Sequence, residues 1–359
     1  MVGGVESHYD PIDVNETRRP HTVPDFHLRR FGSGPANQSI WVYDKQKDLI
    51  FPGTVRRSSV HPDYYHVAKA SGGTEGGLEQ ELFQKAETIA APHLSDLLKL
   101  QPGAQPFNPR ARFDLAHYLA IQRARVPAMI ERAEEAAIFH ALAENDRLLS
   151  DRDAFAGRAA EAGLMPKEGE TLEDLRLEWL ALFRSGELEI RPPTGFALVH
   201  VLDLALKTQP QAFFEMAWGI REATEPPWLL LGDEPLVAVM PPDTPKDEEQ
   251  GFRTPGVEIV MSLSPERLLV LRNRRTADVI EVTAPLRSAD VDDWVCRANL
   301  ASWRSASQHV WGRDRADLEA IHTLMTPEER THVRRVEVRN LPEEWQVYLQ
   351  PGMTPAPPD

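Results

Sequence analysis

The sequence predicts an α+β fold, with a helical middle region and short β-strands contributed by the N-terminal and C-terminal zones. Three observations carry this. Apolar residues recur at helical spacing over about 78–222, and they shift to short β-branched or leucine-rich runs over about 226–285. A strand candidate, IWVYDK (40–45), precedes both. The order β, α, β sets terminal strands on or beside a helical body.

Residues 1–20 are polar and mixed and read as a flexible N-terminus. The box HTVPDFHLRRF (21–31) follows, then IWVYDK, an apolar patch LIFPGTV (49–55) and the aromatic DYYHV (63–67). After Gly76-Gly77 comes a helix, LEQELFQKAETIAAPHLSDLLKL (78–100), then a longer one over 112–146. TLEDLRLEWLALF (171–183) opens with Thr171 three residues before Asp174, a capping-box start that satisfies free N–H groups of the first turn. A further apolar helix, 194–220, is interrupted near Gln209-Pro210. WLLLGDEPLVAVM (228–240), VEIVMSLS (257–264), LLVLRN (268–273) and ADVIEVT (277–283) read as strands. Helices at about 289–306 and 314–325 and a strand pair, VRRVEVR and WQVYL, complete a single α+β domain over 21–350. The tail 351–359 carries four prolines and reads as disordered. The loop 240–256 is too long for a plain turn, which leaves a functional flap or a disordered insertion. No internal repeat is present.

Composition removes several function classes. A net charge of −15 opposes non-specific coating of a phosphate backbone. Cys296 is the only cysteine, so neither an intramolecular disulfide nor a cysteine zinc cluster can form. No stretch reaches the roughly 18 apolar residues of a membrane span, and MVGGVESHYD has no signal-peptide pattern, so a cytoplasmic protein without membrane attachment is expected. The motifs HExxH, GxxxxGK[ST] and GxSxG are absent, as is GxGxxG in a strand-to-helix context; this disfavours metalloproteases, P-loop enzymes, ordinary α/β-hydrolases and Rossmann dehydrogenases.

Polar residues interrupt apolar patterns at a few places. Leu115, Leu119, Val126 and Ile130 form a helical stripe on which position 122 is glutamine. A buried amide must find partners or cost about 1–3 kcal/mol. Arg125 flanks the same stripe, and Pro127 is expected to kink the helix. The set reads either as a structural hydrogen-bond network under the kink or as part of a site. Glu79 heads the apolar line Phe83, Ala86, Ala90, Leu97, with Glu87 at its edge; a carboxylate in a first helical turn is also favoured by the helix dipole alone. His21 could be a base, a ligand or a packed histidine, and packing is the commonest fate. The histidines of HPDYYH (61–66) are five apart, which suits no helix or strand face, so they are set aside as a metal site.

The ordered set of motifs resembles a bacterial family defined only as a domain of unknown function. Its members open with an H-x-V-P-x-F-x-L-R-x-F box, here His21, Val23, Pro24, Phe26, Leu28, Arg29 and Phe31. A "wVYD" strand follows at Trp41 to Asp44, then "DfY" near Asp63-Tyr64-Tyr65, two glutamates before "AAP" (Glu79, Glu87) and "Q-x-x-R-x-P" (Gln122, Arg125, Pro127). "SDNP" and "PLSP" strand ends correspond to Gly232-Asp233-Glu234-Pro235 and Ser262-Leu263-Ser264-Pro265, and a late helical asparagine to Asn299. Glycine and glutamate replace the serine and asparagine of SDNP, which puts any role of those two side chains in doubt, and Ser262 replaces a proline. The resemblance covers about 20–312 and brings no established activity. It implies that His21 and Arg29 of the box meet the helices of Glu79 and of Gln122/Arg125, and it adds Arg29, Asp233 and Asn299 as binding positions.

Two functions fit these residues. In a hydrolase, such as a metal-dependent phosphodiesterase or nuclease, His21 is base or ligand, Glu79 and Glu87 are ligand or base, and Arg125 clamps a phosphate oxygen, with Gln122 in the same catalytic set. The cofactor is unspecified, a divalent metal being compatible. In a non-catalytic binding or sensor module, the same residues form a structural network, and the acidic loop 240–256 meets a basic partner. The stripe also sets a stability expectation: Gln122→Leu changes stability by no more than about 1–2 kcal/mol, and Gln122→Glu costs more because it buries a charge.

Overall fold

The computed structural model describes residues 21–60, 65, 67–68, 74–75, 78–100, 108–187, 195–240, 256–273, 288–332, 337–338 and 354–355. Pro24, with φ fixed and no N–H to satisfy, precedes the short helix α1 (Asp25–Leu28), which tightens into a 3-10 turn, Arg29–Phe31. The alternation of IWVYD gives β1 (Ser39–Asp44), which forms a hairpin with β2 (Leu49–Thr54), and α2 (Val55–Ser58) follows. A two-residue pair, β3 (Val67–Ala68) and β4 (Thr74–Glu75), leads to a π-helical turn, Glu79–Phe83, and α3 (Gln84–Leu97).

Side chains cap several of the helices that follow. Asn108 accepts from the Ala111 amide at 2.7 Å ahead of α4 (Pro109–Ala124), and Pro127 stands at the first turn of α5 (Pro127–Ser150). Asp151 caps α6 (Arg152–Glu161), and the expected Thr171/Asp174 capping box opens α7 (Leu172–Arg184). After α8 (Phe196–Glu215) come β5 (Ala217–Glu222), β6 (Leu231–Gly232), β7 (Leu236–Val239), β8 (Glu258–Ser262) and β9 (Arg267–Arg272). The chain continues through α9 (Ser288–Ser305), β10 (His309–Gly312), α10 (Arg315–Leu324) and α11 (Pro327–Thr331), and then the parallel pair β11 (Glu337–Val338) and β12 (Thr354–Pro355).

Two four-stranded antiparallel sheets organise these elements, ordered β2-β1-β10-β6 and β5-β9-β8-β7. Alternate residues of β1 serve opposite faces. Ile40 and Val42 pack with Val23, Leu28, Phe31 and Trp311, whereas Tyr43 packs with Trp303, Val310, Leu318 and Ile321 from α9, β10 and α10. In the second sheet Ile259, Met261, Leu269 and Leu271 meet α3 and α4, and Val260, Leu268 and Val270 meet Val295 and Ala298 of α9. Helix α9 therefore lies between the sheets and serves both.

The structure corrects the expected elements in six places. The helix of 112–146 is two helices, because Val126 is extended (ψ 145°). Pro210 lies inside α8 without ending it, whereas 217–222, expected to be helical, forms β5. The strand 228–240 divides at Asp233–Pro235, its two halves joining different sheets. HVWG, between two helices, supplies the unexpected strand β10, and α6 is an unexpected helix. ADVIEVT, WQVYL and nearly all of the loop 240–256 lie outside the described residues, as do 1–20. No described helix is long and apolar enough to cross a membrane.

Candidate functional site

The opening box is wedged between a sheet and the helices. His21 bridges Val60, the Thr22 amide donates to the Ser59 carbonyl at 3.0 Å, and the Ser59 hydroxyl donates to the Val23 carbonyl at 2.9 Å. These bonds fix the strand-like start of the box, and the helical turn after Pro24 then divides its side chains. Val23, Leu28 and Phe31 enter the core under the first sheet, and Phe26 packs against the cluster of α3, α4 and the second sheet. His27 is wholly buried and its Nε2–H donates to the Ser262 carbonyl at the end of β8, 2.7 Å away.

Arg125 ties this box to two helices. It closes α4, its amide donating to the Ile121 carbonyl, and its side chain is wholly buried. Nε donates to the Thr22 carbonyl at 3.1 Å and Nη1 to the Glu87 carboxylate at 2.7 Å. The Gln122 amide, turned with its oxygen toward the guanidinium, accepts from Nε at 3.2 Å and Nη2 at 3.0 Å. The guanidinium stacks over Phe83 (5.2 Å), and the Tyr65 hydroxyl donates to the Arg125 carbonyl at 3.2 Å. Burial acts to lower the Arg125 pKa, but Tyr65, Glu87 and Tyr118 outweigh it and hold the group more firmly protonated than usual. A phosphate clamp needs an open guanidinium edge, and here Thr22, Glu87 and Gln122 occupy the edges.

The structure thus brings Gln122, Arg125 and Glu87 together, and places His21 one residue from the carbonyl that Arg125 holds. Glu87 is 21% exposed at its side chain, and His21 is partly exposed although its Nε2 is buried and, among the described residues, unpartnered. Glu79 begins the π-helical turn, and its side chain lies outside the described residues. Arg29 does not join the set: it faces outward, 44% exposed, and pairs with Asp25 of its own turn.

Asp233 and Asn299 serve another junction. The buried Asp233 carboxylate accepts from the amides of Ser307, Gln308 and His309 at 2.7–2.9 Å, fixing the start of β10. Asn299 accepts from the Leu230 amide at 2.8 Å and donates to the Trp228 carbonyl at 2.9 Å, pinning α9 to the chain entering β6. Beside Asp233, the buried Lys45 ammonium donates to the Trp303 and Ala306 carbonyls at the end of α9; burial lowers its pKa to about 8, opposed by Asp233.

Sequence reasoning missed Thr22, His27, Arg30, Phe83 and Tyr118 around the guanidinium. Thr22 acts through its backbone and leaves no side-chain signal. Burial, with help from the Arg30 and Arg125 charges and against the bond to Ser262, pushes His27 down to about 3, so its ring is neutral. Burial likewise raises the Tyr118 phenol above its ordinary value. Among the described residues, no three His, Cys, Asp or Glu side chains are placed to hold a metal ion.

Neither the curated proteins nor the solved structures give a match. The family model described as "Protein of unknown function (DUF4238)" matches residues 19–316, and the chain belongs to that family.

Proposed function

We propose that the chain is a hydrolase whose working groups sit where the opening box meets α3, with Glu87 as general base and His21 as the acid that protonates the leaving group. One observation carries this reading: a wholly buried arginine holds Glu87 by its Oε1 at 2.7 Å while that carboxylate still reaches solvent. Such a carboxylate is held at fixed geometry with an oxygen available to a water. Glu87 would take a proton from that water as its oxygen attacks the substrate, and His21 would return a proton to the departing oxygen or nitrogen. Arg125 and Gln122 are positioning residues. Glu79 stands on a π-helical turn, a form that recurs at functional sites, and supplies the second carboxylate. A divalent ion, as in a phosphodiesterase or nuclease, would need Glu79 as third donor beside Glu87 and His21.

The test is a turnover screen of the purified chain on phosphomonoester, phosphodiester, carboxylic ester and single-stranded nucleic-acid substrates, with and without Mg²⁺ or Mn²⁺. One class is expected to be cleaved, and Glu87→Gln to slow cleavage by about 10²–10⁴-fold in protein whose far-UV circular dichroism shows it still folded, with a lower melting temperature because buried Arg125 loses its counter-charge. Cleavage of none, or an undiminished rate in Glu87→Gln, overturns the reading. A non-catalytic binding or sensor module would then stand, and the commitment of Arg125, Gln122, Asp233 and Asn299 to intramolecular partners favours it.

A further inference from the structure

Within and beneath the box, three polar groups lie around the Phe26 ring, and each has a buried atom without a hydrogen-bond partner among the described residues. The His27 ring centroid lies 6.4 Å from that of Phe26, the Tyr118 centroid 6.5 Å, and the Arg30 guanidinium carbon 5.5 Å. His27 is 0% and Tyr118 1% exposed. His27 Nδ1, the Tyr118 hydroxyl and Arg30 Nη1 are all buried without a hydrogen-bond partner. Three such atoms in one neighbourhood are unusual, because each unpartnered buried polar group costs about 1–3 kcal/mol.

Their chemistry defines a complement. Since the His27 Nε2–H is donated to the Ser262 carbonyl, the neutral ring presents a lone pair at Nδ1. Tyr118 presents an O–H, and Arg30 Nη1 an N–H. Among the described residues, the only side-chain hydrogen bond of Arg30 is the neutral one from Nη2 to Ser95 Oγ at 3.3 Å. The nearby carboxylates are committed elsewhere, Glu87 to Arg125 and Asp25 to Arg29. Among the described residues, this half-buried guanidinium thus has no counter-charge. Two donors, one acceptor and a spare positive charge fit a small oxyanion that carries a hydrogen of its own.

We infer that the seam between the box and α3/α4 binds a hydrogen-bearing phosphate group, free or as a monoester, with Arg30 and Tyr118 donating to its oxygens and His27 Nδ1 accepting its O–H. Arg30, partly exposed, gives the side from which the ligand enters. The binding goes beyond the proposed hydrolysis and does not depend on turnover.

The experiment is a thermal-shift and calorimetric titration of the full chain with inorganic phosphate and with glycerol 3-phosphate, at constant ionic strength set by chloride. Sulfate, of similar shape but without the hydrogen, is the control. Phosphate is expected to raise the melting temperature in a saturable way, and sulfate to bind about tenfold more weakly or worse. A tighter response to glycerol phosphate identifies a monoester as the ligand, an equal one the free anion, and both support the site. Tyr118→Phe should melt no lower than wild type without phosphate, since it removes only an unpartnered hydroxyl, and should bind phosphate about tenfold more weakly. Arg30→Gln should abolish the shift, whereas Glu87→Gln should keep it, so failure here and failure of the hydrolase reading are seen separately. No phosphate shift, an equal response to sulfate, or unchanged binding in Tyr118→Phe overturns the site and leaves buried water as the partner of these atoms.

Discussion

Arg125 divides one guanidinium among a backbone carbonyl, an amide and a carboxylate, and its removal leaves all three with an unfilled partner. Arg125→Met is therefore expected to cost about 3–5 kcal/mol in denaturant unfolding; a loss below about 1 kcal/mol would show that the network is not structural. The same contacts change the expectation for Gln122. Its burial agrees with the apolar stripe, but it faces a cation, so Gln122→Glu would present a compensated carboxylate rather than an isolated buried charge. His27 gives a prediction in pH. Its ring titrates near 6.5 when unfolded and near 3 when folded, chiefly because of burial. Between those values the unfolded chain holds the extra proton, so stability falls as pH drops from 6.5, by about 1.4 kcal/mol per pH unit, and the ring adds no slope above 6.5. His27→Gln keeps a donor for the Ser262 carbonyl and removes the titration. The stability difference between wild type and this variant should therefore shift by about 2 kcal/mol between pH 6.5 and 5, and a difference that stays constant over that range would refute the buried neutral ring.

The break between α4 and α5 shows where local signals stop deciding an element. Pro127 marks the boundary, yet the extended residue is Val126, and Pro127 itself occupies a first-turn position where a missing N–H costs little. What holds the break is the anchoring of Arg125 by Thr22, Glu87 and the Tyr65 hydroxyl. Pro127→Ala should therefore cost no more than about 1 kcal/mol, through the looser unfolded chain; a loss comparable to that of Arg125→Met would return control of the break to the proline. Pro210 makes the complementary point, for it lies buried within α8 and the helix continues. The capping box of α7 was legible because Thr171 and Asp174 are close in sequence. Strand β10 was not, since four residues between helices have too short a pattern, and their strand state comes from pairing with β1 and β6.

At the scale of the molecule, the class and the coarse β, α, β order were legible because hydrophobic period is local, whereas the candidate site was legible only as polar residues out of place. The amide on the stripe and its arginine neighbour were found in this way. Thr22, acting through a carbonyl, and Tyr118, an aromatic at an apolar position, gave no such sign. The long-range contacts also bear on whether the chain folds as one unit. The box contributes Val23 and Phe31 to the core of the first sheet and Phe26 to that of the second, and His27 bonds to the end of β8. Helix α9 faces both sheets, and Asn299 and Asp233 pin the chain where it passes from one sheet to the other. Neither sheet can lose its packing without exposing the other, so residues 21–350 are expected to unfold in one cooperative transition. Far-UV circular dichroism, which follows the helices, and tryptophan fluorescence, which averages over eight tryptophans that include Trp303 and Trp311 of the first core and Trp218 of the second, should give coincident denaturant curves. A fluorescence change that precedes the loss of helix would mean that the box and α9 release one sheet before the other, and that the two layers are separate units.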